Sequence, residues 1–342
     1  MSNLSDLYPS GGLAGTQYVF VQANGTDVEN AIELQAAYDL AKTMSPTSTN
    51  RITIVTSPAN YNFGSSDFTM DTQYIDLVSL DGNRSIVFNG ENTINITANN
   101  VFVKGVDVLA KKFTIGNDLN FLIAENCKGG NLSFGAYSTA SGTFTNCTGG
   151  NLSFGGGGGG TASGTFTNCT GGDLSFGAYG TASGTFTNCQ GGSLSFGGRG
   201  TASGTFTNCT AVDNSFGGRG TASGTFTNCQ GGSLSFGGLG TASGTFTNCT
   251  GGNDSFGGRG TASGTFTNCT GVNDSFGGFG TASGTFNNCQ GGDFSFGGSN
   301  TASGTLSGKL YYCRMTQGTF ATVSSGGRTV LCIDGNDDQN NQ

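Results

Sequence analysis

The 342-residue chain has no tryptophan and no histidine, and charged residues make up only 10% of it. Without histidine there is no imidazole base to pair with a serine, and no Cys/His set for a tetrahedral zinc site. Acidic residues outnumber basic ones, 21 to 13, for a net charge of -8. This argues against nucleic acid or an anionic membrane as partner, since phosphate binding needs clustered Lys and Arg. The first ten residues have neither a basic n-region nor an apolar h-region, and no apolar run is long enough to span a bilayer. Folding in a cytosol, without membrane insertion, is therefore expected.

What is abundant is glycine, 64 residues, and phenylalanine, 27 residues. With so little charge the chain is not a self-repelling disordered polymer, and that many Phe side chains have to be buried. From Cys127 onward the chain repeats C-x-G-G-x-x-S-F-G-G-x-G-T-A-S-G-T-F-T-N, with cysteines at 127, 147, 169, 189, 209, 229, 249, 269 and 289. Each interval is 20 residues except the second, which is 22 and carries the glycine run Gly155 to Gly160. A short insertion confined to one corner is what a stack of coils tolerates. The expectation is an all-β parallel β-helix, or β-solenoid, with 20-residue coils.

Within Thr139–Thr145 the alternation puts Ala140, Gly142 and Phe144 on one face and hydroxyl side chains on the other. Stacking then predicts an inner ladder of Phe144, Phe166, Phe186, Phe206, Phe226, Phe246, Phe266 and Phe286, with Leu306 taking its place on the last turn. A second column from Phe134 to Phe296 implies two strand-bearing sides per coil, and nine coils a section of about 40 Å. Two residues before that second Phe the chain has Leu132, Leu152, Leu174, Leu194 and Leu234 but also Asn214, Asp254 and Asp274. Strict alternation would bury those carboxylates, so a bend and a partly wet column are expected there.

The flanks read as caps. Thr16–Val21 is a strand, and Thr26 with Glu29 forms a capping box opening a helix to about Lys42. Val28, Ile32, Leu34, Ala36 and Leu40 would be its buried side. Strand candidates at 52–55, 74–78, 86–88, 94–96, 101–103, 106–109 and 121–123 suggest irregular first coils. Residues 309–315, 318–323 and 329–333 suggest three strands of a closing block. The divisions are 1–50 (strand and capping helix), 51–126 (irregular coils), 127–307 (regular solenoid) and 308–342 (β cap).

Three repeat columns carry candidate chemistry. The cysteines offer one thiol per coil, pointing the same way as their neighbours, so neither a disulfide nor a metal site is expected but a buried ladder of free thiols. The adjacent Asn column, from Asn126 on, reads as a corner ladder of amide hydrogen bonds. The pairs Thr143/Thr145, Thr165/Thr167, Thr185/Thr187, Thr205/Thr207, Thr225/Thr227, Thr245/Thr247 and Thr265/Thr267 form a flat Thr-x-Thr face that resembles the ice-binding face of insect antifreeze solenoids. Threonine is also the ordinary outward residue of a strand, and such a face can pack on a sister chain.

The position between the corner glycines changes freely: Tyr137, Tyr179, Arg199, Arg219, Leu239, Arg259 and Phe279, then Ser299. Aromatic and Arg side chains raised on Gly turns give contact area at low entropic cost, so this row is the candidate recognition ridge for glycan or protein. Acids are scattered, at Asp67, Asp71, Asp76, Asp81 and Asp107 early on, with Lys104, and at Asp173, Asp213, Asp254, Asp274 and Asp293 in the repeats. Paired carboxylates for glycoside hydrolysis are not evident, and the early acids read as solvated corners. No catalytic residue and no cofactor is expected.

The repeat T-A-S-G-T-F-T-N-C-x-G-G, the strand and helix at 16–42, and the closing Gly326–Gly335 segment together resemble virion structural proteins of marine tailed phages, particularly repeat-bearing fibre or appendage proteins of cyanophage-like viruses. The resemblance implies a right-handed parallel β-helix, often trimeric, in a fibre, spike or decoration. It carries over no catalytic residue. On this reading the chain is made in the host cytoplasm, resides in the virion, and meets other virion proteins and host-surface glycans. The alternatives are a self-assembling extracellular filament or sheath subunit whose caps mate end to end, and an ice-binding protein.

Overall fold

Parallel strands in register lie about 4.8 Å apart, so a sequence that repeats every coil sets identical side chains on top of one another at that spacing. In the structure, a computed structural model, this is how the chain is organised. It describes residues 16–297, apart from 91–93, 110–111, 117–118 and 120–121, and beyond them the short strands 305–306, 309–311, 314–315, 328–330, 332–333 and 339–340. The chain is a parallel β-solenoid, and among the described residues it has one helix, near the N-terminal end of the stack.

The principal sheet has 15 strands, beginning with β1 (Gln17–Val21) and Ile52–Thr56, running through Thr143–Thr145 and its repeats, and ending at Arg328–Val330. A nine-stranded sheet stacks Thr139–Ala140 and its repeats. A third column of single parallel bridges joins Asp107, Lys128, Thr148, Thr170 and so on to Gln290. The burial alternation expected over Thr139–Thr145 holds, but the segment is two strands of different sheets, bent at Gly142. A Cβ at Gly224 would lie 2.2 Å from the carbonyl oxygen of Gly204 one coil below, so only glycine lets the coils approach at that bend.

Phe144 and its repeats stack as expected, with ring centroids 4.8–5.1 Å apart and planes nearly parallel. The second column starts one coil earlier than expected, at Phe113. It does not stand on strands: residues 131–138 form a turn, and Phe134 and its repeats are left-handed, with φ of 50° to 54°. The coil therefore has its two strands close together and a turn-borne Phe opposite. The two columns meet edge to face, 5.5–6.0 Å apart at 76° to 89°. Edge-to-face and offset-stacked pairs are both favourable arrangements of the ring quadrupole.

The variable position two residues before Phe134 is also left-handed, with φ of 56° to 60° from Leu132 to Asn214. This is the expected bend, and these residues are half-buried, apart from Asp254, which is 8% exposed. Asn and Asp tolerate that backbone better than most residues, which explains why they alternate with Leu there. The 22-residue coil leaves the register intact, with Thr139 opposite Thr161 and Thr143 opposite Thr165, and exposes Gly158 and Gly159.

The cap helix α1 (Asp27–Thr43) has the full capping box of Thr26 and Glu29. Its buried face differs from the expected one: Asn30, Ala31, Leu34, Ala37, Tyr38 and Ala41 face the core, whereas Val28, Ile32, Ala36 and Leu40 are not buried. Three alanines let the helix axis come close to the first coil, and Tyr38 reaches in against Phe68 and hydrogen-bonds to Asp71. Among the early coils, Ala59–Tyr61, Phe68–Met70 and Thr114–Ile115 are strands the pattern did not reveal.

At the far end, Leu306 lies opposite Ala282 and not in the Phe ladder; Leu310 takes the position opposite Phe286. The expected strand at 309–315 is two strands of different sheets, and 318–323 lies outside the described residues. Arg328–Val330 and Cys332–Ile333 continue the parallel stack, and Gln339–Asn340 closes on Cys332–Ile333 antiparallel.

Phe206 touches Phe186 and Phe226 in its own column and Phe196 and Phe216 in the other. Phe206→Ala is expected to cost about 3–5 kcal/mol, felt locally because a solenoid's coils contact only their neighbours. Denaturant unfolding, with hydrogen exchange to locate the loss, measures this; an unchanged profile around coils 189–228 would contradict it.

Candidate functional site

The repeat columns sort into those buried in the fold and those left on the surface. All nine repeat cysteines are buried free thiols, each donating to a carbonyl of a preceding coil, as Cys169 Sγ does to Phe144 O at 3.3 Å. Burial pushes the Cys127, Cys147 and Cys169 thiols up from their ordinary value, so these three are neutral S–H groups. The Asn column is also a ladder: from Asn168 to Asn288 each Nδ2 donates to the Oδ1 below at 2.9–3.1 Å. Each of these Asn residues is left-handed, φ 52° to 54°, a conformation Asn accepts more readily than most side chains.

Two columns were missed by sequence reasoning. The serine before each second-column Phe is fully buried; Ser195 Oγ accepts from Ser175 N at 3.4 Å and donates to Gly172 O at 3.2 Å. The Asn/Asp/Ser position two before it caps the next coil, with Asn151 N donating to Asn131 Oδ1 and Ser193 N to Asp173 Oδ1, each at 2.8 Å. The invariance of S-F-G in every repeat was the available signal.

Of the early acids, Asp67 and Asp81 are exposed as expected, whereas Asp71, Asp76 and Asp107 are held in ion pairs. Asp76 is fully buried and not a solvated corner: it pairs with Arg51 and accepts from Phe102 N at 2.8 Å. Burial raises its carboxyl from the ordinary value while the Arg51 guanidinium opposes that shift. Asp71 is bound by Lys42 and Tyr38, Asp107 by Lys128, and Lys104 by Glu125. The Lys42 ammonium holds Asp71 below the usual carboxylate value, and burial pushes the Tyr38 phenol up to about 12. Among the described residues no group of three or more His, Cys, Asp or Glu side chains could hold a metal ion, and no helix is long and apolar enough to cross a membrane.

The threonine rows are in register for the whole repeat, Thr143 opposite Thr165 opposite Thr185 and onward to Thr285. The expected flat face of two equivalent rows needs correction, because only the first Thr of each pair is exposed: Thr143, Thr165, Thr185, Thr205, Thr225, Thr245 and Thr265. The second row, Thr145, Thr167, Thr187, Thr207, Thr227, Thr247 and Thr267, is half-buried. Each of these residues ends its strand, and the left-handed Asn that follows turns the chain into the corner of the amide ladder. The second row therefore borders that corner, and the first row is the more open of the two. Thr139 and its repeats belong to the other sheet, across the Gly142 bend.

Among the exposed columns the tip varies most widely in size and charge, from Tyr137 to Arg199, Leu239 and Phe279. The backbone there is invariant: the N–H groups of Arg199, Arg219, Leu239, Arg259 and Phe279 donate to carbonyls one coil below at 2.8–2.9 Å. A Cβ at Gly200 would lie 1.9 Å from Gly180 O, so the following glycine is required by close packing. Tyr137, Tyr179, Arg199, Arg219, Leu239, Arg259 and Phe279 are all exposed. Between Tyr137 and Tyr179 the inserted glycines leave a rung without a side chain.

Each tip arginine is held differently. Arg199 lies 4.9 Å over the Tyr179 ring, Arg219 Nε donates to Asn214 Oδ1 at 3.3 Å, and Arg259 makes a two-pronged pair with Asp254 at 3.0 and 3.1 Å. Asp254 thus has the partner that its burial requires and neutralises Arg259, whereas Arg199 and Arg219 keep their charge available. The ridge as a whole offers aromatic faces with two positive charges on neighbouring coils.

No family model matches the chain, and neither a curated protein nor a solved structure does.

Asp274 has Phe279 at its tip where Asp254 has Arg259, and its Oδ1 is buried with no hydrogen-bond partner. Burial and then the Asp254 charge raise its carboxyl above the ordinary 3.8. A raised carboxyl favours the protonated folded state, so its contribution is present at low pH and lost as pH rises through the folded value. Asp274→Asn is therefore expected to stabilise the protein at pH 7 and to make no difference below about pH 3, where both states bind the proton. Thermal melts across that range check the sign.

Proposed function

We propose that the chain is a non-enzymatic rod of a virus particle, a fibre, spike or decoration, that carries its tip ridge to the host surface. The reading takes the assembly to be a homo-oligomer, a trimer by the resemblance, held among other virion proteins. What supports it is one contrast: the Phe, Cys, Ser and Asn columns are nearly invariant and are consumed by packing and hydrogen bonding, while the tip column changes residue on an unchanging backbone. Variation at fixed geometry suits recognition, because each substitution alters the contact surface without altering the support. The ligand class is a host-surface glycan, whose sugar faces stack on aromatic rings and whose acidic groups pair with Arg.

The protein is expected to purify with virus particles. Replacing Tyr179, Arg199 and Arg219 by Ala is expected to weaken cell binding by about tenfold per anchor, since an anchor residue is worth about 1–2 kcal/mol or more. Unchanged binding by the triple variant would refute the ridge.

The in-register row of exposed threonine supports a second reading, ice binding, because an ordered hydroxyl and methyl array can hold ordered water. Purified protein would then show thermal hysteresis, and Thr205→Tyr would abolish it. Absence of hysteresis in the unaltered protein excludes this reading.

A further inference from the structure

The 22-residue coil has glycine where the coils after it have a tip side chain, and this changes the tip before it. Tyr179 is 39% exposed and has Arg199 4.9 Å over its ring, whereas Tyr137 is 60% exposed and passes only the inserted glycines. A Cβ at Gly157 would lie 2.7 Å from both Cδ1 and Cε1 of Tyr137, and one at Gly158 3.1 Å from Cδ1. One edge of the ring therefore rests on backbone that only glycine leaves open. The Gly157 N–H donates to Ala136 O at 2.6 Å, which fixes that shelf to the turn carrying Tyr137.

Toward the preceding coil the same residue walls a pocket of about 150 Å³, shared with Lys112, Thr114, Ile115, Leu132 and Ser138. Lys112 is placed there by Phe113, the next residue, whose ring stacks 4.8 Å from that of Phe134. From Phe134 onward the residue before each Phe of this column is a fully buried serine; before Phe113 it is an exposed lysine. Lys42, Lys104 and Lys128 are each held in an ion pair, and Lys112 has none among the described residues. Ile115 is buried and Leu132 half-buried, so they form the floor, while Thr114 and Ser138 bring two hydroxyls that no other described residue engages.

Size, lining and charge together specify a ligand. A space of this volume holds one six-membered ring and not two. An apolar floor beside an aromatic wall suits the C–H face of such a ring, and free hydroxyls at the opening suit a ligand that carries hydroxyls of its own. The unpaired ammonium calls for an anionic group, on a chain whose net charge of -8 otherwise repels anions. The geometry points to a subsite for a single hexuronic acid unit, bound between Tyr137 and Lys112, with the 22-residue coil as the device that seats the tyrosine ring. This gives the glycan reading a sugar class and a place, and rests on that reading only for the unit's being part of a surface glycan. The pocket itself is tested with free sugar.

Saturation-transfer NMR on the full-length protein, with methyl glucuronide as probe and methyl glucoside as neutral control, is the test. The glucuronide is expected to bind about fivefold more tightly, the upper range for an exposed ion pair, and the difference should vanish at high salt. Lys112→Gln should remove the difference and leave glucoside binding unchanged. Tyr137→Ala should weaken both sugars by about tenfold. Gly157→Ala, whose added carbon drives the ring toward the pocket, should do the same with an unchanged circular dichroism spectrum. The variant with Tyr179, Arg199 and Arg219 replaced by Ala should bind the glucuronide like the wild type, so failure of the ridge in cell binding and failure of this pocket are read separately. No glucuronide binding by the wild type, equal binding of the two sugars at low salt, tighter binding of benzoate than of the glucuronide, or an unaffected Tyr137→Ala variant would each overturn the proposal.

Discussion

One distance governs this molecule. Parallel strands in register sit about 4.8 Å apart because that is where their N–H and C=O groups meet. The phenylalanine rings of both columns stack at 4.7–5.1 Å, and the Asn amides bridge the same step at 2.9–3.1 Å. Backbone pairing, aromatic stacking and the amide ladder are therefore satisfied by a single translation. Because the step is set by the backbone, a residue that suits one coil suits every coil, and the repeat is nearly identical for that reason. The same constraint requires glycine wherever one coil's backbone lies against the carbonyl of the next, as at Gly224 over Gly204.

The constraint has a local cost. The second-column Phe, the residue two before it and the Asn of the ladder all sit at positive φ, which disfavours most side chains by about 1–2 kcal/mol each. The return comes from what those turns achieve. They bring Phe196 edge-on to Phe186 and Phe206, bury the Ser195 hydroxyl with both of its bonds made, and let the Asn amides face one another. Where the residue two before the Phe is an Asp, burial demands a partner, and the tip supplies one in Arg259 but not beside Asp274. Tip and turn are thus coupled within a coil, and the tip is not wholly free to vary.

Much of this was legible residue by residue. The capping box of Thr26 and Glu29, the Phe144 ladder, the buried thiols, the Asn ladder and the exposed tips each follow from one local rule applied to a repeat. What stayed hidden involved a choice between faces or partners. α1 offers Val28, Ile32 and Leu40 on one side and Ala31, Ala37 and Ala41 on the other; hydrophobicity favours the first, but close approach to the coil favours the second. Thr205 and Thr207 are equivalent by alternation, yet the turn at Asn208 half-covers only the second. Asp76 looked like a polar corner because Arg51 lies 25 residues away in sequence. Leu306 looked like the next ladder residue, but the stack places Leu310 there.

The sequence by itself determined the period, the identity of every stacked column and the place where the repeats differ, because in a translational stack each column is one position read down the chain. Only the tertiary structure decided that the second Phe stands on a left-handed turn, which side of α1 is covered, and that the first and last strands belong to one parallel sheet. Those outcomes depend on which surfaces meet across the coil and at its ends. A repeat pattern specifies what lies above each residue; it does not specify what lies opposite it.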